Sequence, residues 1–365
     1  MAFTGVGSTM LGPFLPRLVV HWQIHDREGG MLVASLFLGS FFGTLAMSES
    51  LHRSLRRGAW AATLGCLAFA WTTQFVHGFV PAIVVLLLMG FGMGQLMSSL
   101  NLLVGSTPLT IRARQLANLS AAWCAGAVLS PCLSTVLLKS VSPSLRLGLF
   151  APLFLLPLVA LPTDPAAPLS TSVRQHIDWA SLVPNGAALC TAIFLIYGGI
   201  EASISAWMPA FATRYSGGPL AATQWILSLF WLGLIAGRIL TAALTTLETE
   251  GLFLRGAIFA SIVCLVWLIL APSFAQAASA SAVMGICIAP LFPLLLSATL
   301  SHGYSNRIMG VMLACCALGS ALFPFLLGVL SNLFSLRVGM LLPIAGFFSL
   351  VVVQWKSPQY PRHAS

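Results

Sequence analysis

The stretch "VPAIVVLLLMGFGMGQLMSSLNLLVG" (residues 80–105) contains no charged side chain. A helix needs about 20 consecutive, mostly apolar residues to cross the hydrocarbon core of a bilayer, and this stretch is long enough. It does not alternate apolar and polar residues, as a strand of a membrane barrel does. The stretch therefore predicts a transmembrane helix.

The composition of the whole chain resembles that of this stretch. Of its 365 residues, 58% are hydrophobic and only 7% are charged. A soluble domain has about 25% charged residues, because polar groups must cover a surface that faces water. The composition therefore predicts a polytopic membrane protein and excludes a disordered or fibrous chain.

Twelve runs of the sequence have the length and apolarity of spanning helices, so we predict an all-α fold with twelve transmembrane helices. The runs lie at roughly 1–21, 30–50, 57–75, 80–105, 115–139, 144–162, 180–212, 219–245, 253–272, 274–300, 306–332 and 335–355. The first run lacks the charged start and the cleavage site of a signal peptide, so it is predicted to be a spanning helix.

The basic residues predict the orientation of the spans. With both termini in the cytoplasm, eleven of the seventeen Lys and Arg residues fall on the cytoplasmic side. This bias follows the positive-inside rule, so we expect a multi-pass protein of the plasma membrane with both termini cytoplasmic.

Because the basic residues are scattered singly between apolar runs, the net charge of +9 predicts no nucleic-acid partner. A monomer is expected.

The longest polar interruption is "PTDPAAPLSTSVRQHIDW" (residues 162–179), which is rich in Pro and Ser. Such a composition is typical of a linker. It predicts a cytoplasmic linker between an N-terminal six-helix bundle, residues 1–161, and a C-terminal six-helix bundle with a short tail, residues 180–365.

Four motifs recur in the two bundles at a nearly constant separation. The pairs are Pro16 with Pro209 (193 residues apart), "LGSFFG" (38–43) with "LGLIAG" (232–237, 194 apart), "MG" (89–90) with "MG" (284–285, 195 apart), and "GAVLSP" (126–131) with "GSALFP" (319–324, 193 apart). They match spans one, two, four and five to spans seven, eight, ten and eleven. Such parallel repeats predict pseudo-symmetric halves with a solute site between them, near the membrane midplane.

One of these motifs carries, in both bundles, glycines four residues apart. They are Gly39 and Gly43 in span two, and Gly233 and Gly237 in span eight. Glycines at this spacing leave one helix face smooth, so a neighbouring backbone can approach closely. We predict that these faces slide during transport; static helix packing is the alternative.

The sequence resembles the major facilitator superfamily along essentially its whole length. The motifs that carry the resemblance are "GSTMLGPFLPRL" (7–18), "LGSFFG" in span two and "IAPLFPLLL" (288–296). "YGGIEASISAW" (197–207) resembles the fucose-permease-like sugar transporter branch. The resemblance implies a secondary active or facilitative transporter whose halves rock around the solute. It also implies a gating role for Pro290 and Pro293.

The loop after span two departs from the family pattern. In "ESLHRSLRRG" (49–58), His52 stands where the family has an Asp, and Leu55 replaces a Gly. The basic positions are filled by Arg53, Arg56 and Arg57. The missing acid weakens the expected charge latch between cytoplasmic helix ends, and Arg238, at the inner end of span eight, is expected to make a related contact.

Glu201 is an isolated acid in span seven, and its nearest charged neighbours in sequence are Asp178 and Arg214. Tyr197 and Ser205 lie four residues before and after it, so all three share one helix face. An ionised acid at the membrane centre costs about 3 kcal/mol or more, unless it faces water, is paired or is protonated. We predict that Glu201 binds a solute hydroxyl or a proton. The alternative is a structural acid bonded to a neighbouring helix, but no basic residue is an obvious partner in the sequence.

Gly198 and Gly199 precede this acid and Pro209 follows it. Because these residues weaken a helix, we expect span seven to bend or partly unwind where solute binds. Proton-coupled members of the sugar branch carry acids in spans one and four, but the matching stretches here, residues 10–16 and 94–101, contain none. We therefore do not expect coupling to a proton by that route. Whether the coupling ion is a proton or a sodium ion stays open.

Further polar and aromatic residues are predicted to bind the solute. They are Gln95, Ser98 and Asn101 in span four, Asn118 and Trp123 in span five, and Gln224, Ser228 and Trp231 in span eight. Amides bind sugar hydroxyls, and aromatic rings stack on the apolar faces of sugars. Hydrogen bonds between helices are the alternative for each polar residue.

Other classes of function have weaker support. The eight Cys residues lie in apolar runs without metal-ligand spacing, so we expect packing residues and neither a metal nor a cofactor. No phosphate-binding loop of the G-x-x-x-x-G-K-[ST] type is present, so ATP drive is not expected. An enzyme would need several convergent reactive groups, and a single central acid with no His near it in the sequence argues against one. An exporter of drugs or amphipathic metabolites, and a sensor that has lost transport, remain as alternatives.

Overall fold

The computed structural model describes residues 1–47, 50–75, 78–105, 109–132, 143–159, 186–217, 220–244, 249–300 and 306–356. In this part of the chain all regular secondary structure is helical, which confirms the all-α prediction. The chain forms two compact units, Met1–His176 and Ile177–Ser365. The predicted linker, residues 162–179, lies outside the described residues, so its place as the boundary stays a prediction.

The helices overlap the twelve predicted runs, although several begin or end outside them. In the first unit they are α1 (Ala2–Thr9), α2 (Leu11–Trp22), α3 (Asp26–Leu45), α4 (Leu51–Phe75), α5 (Phe79–Gly105), α6 (Leu109–Cys132), α7 (Pro143–Phe150) and α8 (Leu156–Val159). In the second unit they are α9 (Ala187–Tyr215), α10 (Leu220–Leu244), α11 (Glu250–Leu270), α12 (Phe274–Ile288), α13 (Leu291–Leu300), α14 (Asn306–Leu333), α15 (Leu336–Gly339) and α16 (Leu341–Lys356). The pairs α1–α2, α7–α8, α12–α13 and α15–α16 each fill one run.

Many described helices have the length and apolarity of membrane spans. Six qualify by these criteria alone: Asp26–Leu45, Phe79–Asn101, Ala187–Tyr215, Glu250–Leu270, Phe274–Leu296 and Gly310–Leu333. Shorter apolar helices lie at Leu119–Pro131, Gly148–Val159, Trp225–Thr241 and Leu336–Val352. The protein is therefore a multi-pass membrane protein.

The ends of α3 and α4 differ from the predicted boundaries because polar caps set them. The His25 backbone N–H donates to a Glu28 carboxylate oxygen at 2.9 Å, so α3 begins at residue 26 rather than 30. At the start of α4 the Arg53 N–H donates to the Ser50 hydroxyl at 3.4 Å. Helix α4 therefore begins at residue 51, six residues before the predicted run. Apolar runs thus locate a span, while capping groups locate its ends.

The glycines of span two form a backbone contact inside the first unit. A Cβ atom at Gly39 would overlap the carbonyl oxygen of Leu87 in α5, and one at Gly90 would overlap that of Leu36 in α3. Gly43 similarly faces the carbonyl oxygen of Phe91. Helices α3 and α5 therefore pack with their backbones in contact, which favours the static alternative. Sliding of this face stays a prediction.

The second unit repeats this arrangement at the matching positions. Gly233 of α10 faces the carbonyl oxygen of Ala282 in α12, and Gly285 faces that of Phe230. Gly237 also lies against α12. A second close pair occurs in each unit, α1 with α6 and α9 with α14. It is built on Gly5 and Gly126 in the first unit and on Gly198 and Gly319 in the second, again 193 residues apart. The shared contacts support the internal repeat.

This packing predicts opposite effects for two glycine substitutions. We expect Gly90→Ala to lower the free energy of unfolding by about 1–3 kcal/mol, because the methyl group meets the backbone of α3. Gly256→Ala in α11 is the matched control, since no atom lies within 4 Å of the added Cβ. Alanine there should be neutral or stabilise by up to about 1 kcal/mol through helix propensity. Thermal unfolding in detergent measures both, and equal stability would contradict the contact.

Candidate functional site

Helix α9 carries the isolated acid and is continuous. Its 29 residues run past both glycines and Pro209 without a break, so no unwinding is seen here. The reason is packing: a Cβ at Gly198 would overlap the carbonyl oxygen of Cys316, and one at Gly199 would meet the ring of Phe323. These glycines bring α14 close to α9 rather than loosening the helix. Bending or unwinding where solute binds stays a prediction.

The polar face of α9 contains a hydrogen-bonded pair. The hydroxyl of Tyr197 donates to a carboxylate oxygen of Glu201, as their spacing of one turn allows. Tyr197 is buried, whereas Glu201 is only half-buried. Ser205 donates instead to the carbonyl oxygen of Ala202 at 3.2 Å. Within the described residues, the second carboxylate oxygen of Glu201 meets no hydrogen-bond donor.

Aromatic rings lie next to this pair. The ring centroids of Tyr197 and Phe292 are 5.7 Å apart, and Phe292 makes an edge contact with Phe194 at 6.1 Å. Phe292 belongs to α13, which begins after the break that follows α12. The break occurs at Pro290, because proline cannot continue the hydrogen-bond ladder of a helix. Pro293 follows in the first turn of α13. The gating role of these prolines stays a prediction.

Arg238 supplies a positive charge near Glu201. The Arg238 guanidinium interacts electrostatically with both Glu201 and Tyr197. Helices α9 and α10 are joined by a short connection and contact each other, so they run antiparallel. Glu201 lies 14 residues before the end of α9, and Arg238 lies 18 residues after the start of α10.

These positions put the two charges at similar depth. At 1.5 Å per residue, they lie about 21 Å and 27 Å from the connection, a difference of about one helical turn. Arg238 is therefore a basic neighbour of Glu201 that the sequence did not make obvious. The mirrored distances of Glu201 and Arg238 from the short connection were present in the sequence and could have revealed the pair. Arg238 was assigned to a latch at the helix end, and that role stays a prediction.

Two predicted solute ligands in α5 hold helices together in the first unit. The Gln95 side-chain amide donates to the carbonyl oxygen of Ala46 at 3.2 Å, and the Ser98 hydroxyl donates to the Thr44 side-chain hydroxyl at 3.1 Å. Gln95 is 0% exposed, whereas Asn101 is half-buried. Both bonds reach the C-terminal end of α3, which favours the interhelical alternative. Solute binding by these residues stays a prediction.

The remaining predicted ligands are dispersed. Trp231 is 1% exposed and packs edge-on against Phe230, with ring centroids 5.1 Å apart, and Ser228 is buried beside it. Trp123 is half-buried in α6. The side chains of Asn118 and Gln224 lie outside the described residues. The structure thus brings Tyr197 and Glu201 into contact, with Arg238 near enough to act on both electrostatically. Solute binding by every predicted ligand, including these two, stays a prediction.

The three arginines after span two begin α4 and are exposed. The Arg57 guanidinium donates to the carbonyl oxygen of Ala46 at 3.4 Å, the same atom that accepts from Gln95. A cation is favourable there because the C-terminal end of a helix carries partial negative charge. Arg53 and Arg56 extend along the same face. Their role in gating stays a prediction.

Comparisons with known proteins identify others with the same fold. A sequence profile of the Major Facilitator Superfamily matches residues 1–324. A bacterial homologue of the human lysosomal transporter Spinster, inward-facing and occupied, superposes with a TM-score of 0.73 at 12% identity, covering 100% of this chain and 96% of that one. A D-xylose–proton symporter gives 0.74 at 15%, covering 99% and 96%. The transporter FucP, in the outward conformation, gives 0.65 at 12%, covering 98% of both chains.

No curated protein sequence matched this chain. The structural matches share little sequence identity, so they establish the fold alone. The profile, however, covers most of the chain, and the fold, the internal repeat and the twelve helical runs agree with it. The chain therefore belongs to the Major Facilitator Superfamily and is a membrane transporter of small-molecule solutes rather than an enzyme.

Proposed function

We propose that the protein transports a sugar or sugar-like solute and that Tyr197 and Glu201 bind its hydroxyl groups. The observation that carries this proposal is the hydrogen bond between these two side chains in the middle of α9. It fixes one carboxylate oxygen, and the other has no donor among the described residues. A carboxylate accepts strong hydrogen bonds, so this oxygen suits a solute hydroxyl.

The aromatic surroundings support a sugar over a more strongly charged solute. The rings of Tyr197 and Phe292 lie side by side next to the acid, and aromatic rings stack on the apolar faces of pyranoses. The fold of a D-xylose–proton symporter and the likeness of "YGGIEASISAW" to the fucose-permease-like branch agree with this solute class. Export of an amphipathic metabolite is the second candidate, since the same rings would also bind an apolar group.

Glu201 is also our candidate for ion coupling. Spans one and four carry no acid at the positions that proton-coupled relatives use, whereas Glu201 lies mid-span beside Arg238. A carboxylate that alternates between Arg238 and a proton would link solute binding to proton movement. We therefore propose a proton rather than a sodium ion as the coupling ion.

The proposed transport cycle is alternating access. Residues 1–161 and 180–365 would rock as two bodies, as repeat-built carriers do. The bias of basic residues supports cytoplasmic termini. We propose that one chain is the functional unit, because each transporter of this kind encloses its own solute site.

The proposal predicts a specific loss in Tyr197→Phe. Without the hydroxyl, Glu201 loses its donor, and we expect sugar affinity to fall about tenfold, as for one hydrogen bond to a charged group. Tyr215→Phe is the control, because Tyr215 lies at the end of α9 against Arg337. Thermal shifts of both variants and of the unaltered protein are measured with sugars, sugar acids and amphipathic cations. Stabilisation by the cations alone would favour export instead.

A further inference from the structure

A groove on the surface of the first unit combines positive charge with apolar walls. It has a volume of about 560 Å³, and its lining includes Arg53, Arg56, Arg57, Trp60, Leu64 and Leu88. We propose that this arginine groove binds one anionic phospholipid, with the phosphate on the arginines and an acyl chain along the apolar walls. The proposal depends on the protein being in a membrane and is independent of Glu201.

The order of residues along α4 matches the order of groups in a phospholipid. Arg53, Arg57, Trp60 and Leu64 follow at intervals of three or four residues, so they lie on one helix face. From Arg53 to Leu64 the helix rises about 16 Å. The charges therefore occupy one end of the groove and the apolar side chains the other, as in a lipid whose headgroup lies at the membrane surface.

The apolar end of the groove is open to the bilayer. Trp60, Leu64 and Leu88 are 48%, 53% and 42% exposed, and the same faces continue with exposed Trp71 in α4 and Val84 in α5. A contiguous apolar surface of this kind is rare on a protein that faces water. In a membrane protein it contacts lipid tails, so an acyl chain is the natural occupant of the walls between α4 and α5.

The charged end favours an anionic headgroup over a zwitterionic one. Three guanidinium groups lie within two turns, and no acid lines the groove among the described residues. His52 stands where relatives have an acid, so no acid at this position offsets the positive charge of the arginines. Guanidinium groups bind phosphate through paired hydrogen bonds, and anionic lipids are attracted by juxtamembrane basic residues. The bond from Arg57 to the end of α3 holds one of these side chains in place.

The binding test compares three probes on the purified, delipidated full chain. Phosphatidylglycerol, phosphatidylcholine and inorganic phosphate are added in turn, and bound lipid is counted by native mass spectrometry alongside thermal unfolding. We expect one phosphatidylglycerol to be retained and to raise the unfolding temperature. Equal retention of phosphatidylcholine would overturn the proposed headgroup preference. Equal stabilisation by inorganic phosphate would show an anion site without a lipid and would also overturn it.

Charge variants locate the site. Replacing all three arginines by Gln should weaken phosphatidylglycerol binding on the order of a hundredfold, about fivefold for each charge, whereas replacement by Lys should retain most of it. If the triple variant does not fold, Arg56→Gln alone carries the test with an expected loss of about fivefold. Arg255→Gln in α11 removes an exposed arginine elsewhere and should have no effect. Unchanged binding in the Gln variants would refute the groove.

A tryptophan pair tests the acyl-chain end. Trp60 lines the groove and Trp71 does not, although both are exposed on the same face of α4. Trp60→Ala should reduce phosphatidylglycerol retention severalfold, and Trp71→Ala should leave it unchanged. Equal losses in both would indicate general lipid contact and would contradict a defined site.

Discussion

Transport by the Glu201→Gln variant is expected to be at least about a hundredfold slower than by the unaltered protein. Gln has nearly the same shape, but it carries no negative charge and cannot exchange a proton. It therefore loses charge-assisted hydrogen bonds to solute, each contributing about 1.5–3 kcal/mol, as well as any coupling through the carboxylate. Uptake into proteoliposomes measures the rate, with the solute identified by thermal shift.

Glu250→Gln is the matched control for this variant. Glu250 is the first residue of α11 and is likewise partly exposed, but it has no part in the proposed site. Its replacement should leave transport within about twofold, as expected of a surface change. The pH dependence adds a second test: binding of solute to the unaltered protein should vary with pH, and binding to Glu201→Gln should not. If Glu201→Gln keeps both normal uptake and normal pH dependence, the proposed role of Glu201 is wrong.

The sequence predicted the fold well because bilayer length and apolarity act on each span separately. Residues 80–105 identify their helix without reference to any neighbour. The repeat extended this reasoning to pairs of spans. The smooth face at Gly39 and Gly43 was also predicted, but the sequence of one helix does not identify the helix that packs against it. The structure identifies this helix as α5, because both glycines face carbonyl oxygens of α5, those of Leu87 and Phe91.

The site was predictable only as far as local spacing reaches. Tyr197 and Glu201 are one turn apart, so their hydrogen bond follows from the helix itself. The bonds of Gln95 and Ser98 to the end of α3 depend on tertiary packing, and no local pattern distinguishes such residues from solute ligands. Arg238 is distant from Glu201 in sequence, and its approach to the acid depends on the packing of α10 against α9, which no single span shows.

Removing the charge of Arg238 is expected to destabilise the second unit. Arg238→Gln leaves the Glu201 carboxylate without its positive neighbour in surroundings of low polarity, where an uncompensated charge costs about 3 kcal/mol. We expect the free energy of unfolding to fall by about that amount. Arg238→Lys keeps the charge and should recover most of the stability. Thermal and denaturant unfolding in detergent measure each variant.

The double variant decides whether the two charges act as a pair. With Glu201→Gln and Arg238→Gln combined, neither charge remains uncompensated, so the loss of stability should be about 1–3 kcal/mol smaller than the sum of the single losses. Arg255→Gln combined with Glu201→Gln provides the control, because Arg255 is exposed in α11, where its guanidinium bonds to the carbonyl oxygen of Gly251. The control losses should simply add. If the losses of Glu201→Gln and Arg238→Gln also add, the charges are not coupled. Arg238 would then act independently of Glu201, and the proposed exchange of the carboxylate between Arg238 and a proton would lose its basis.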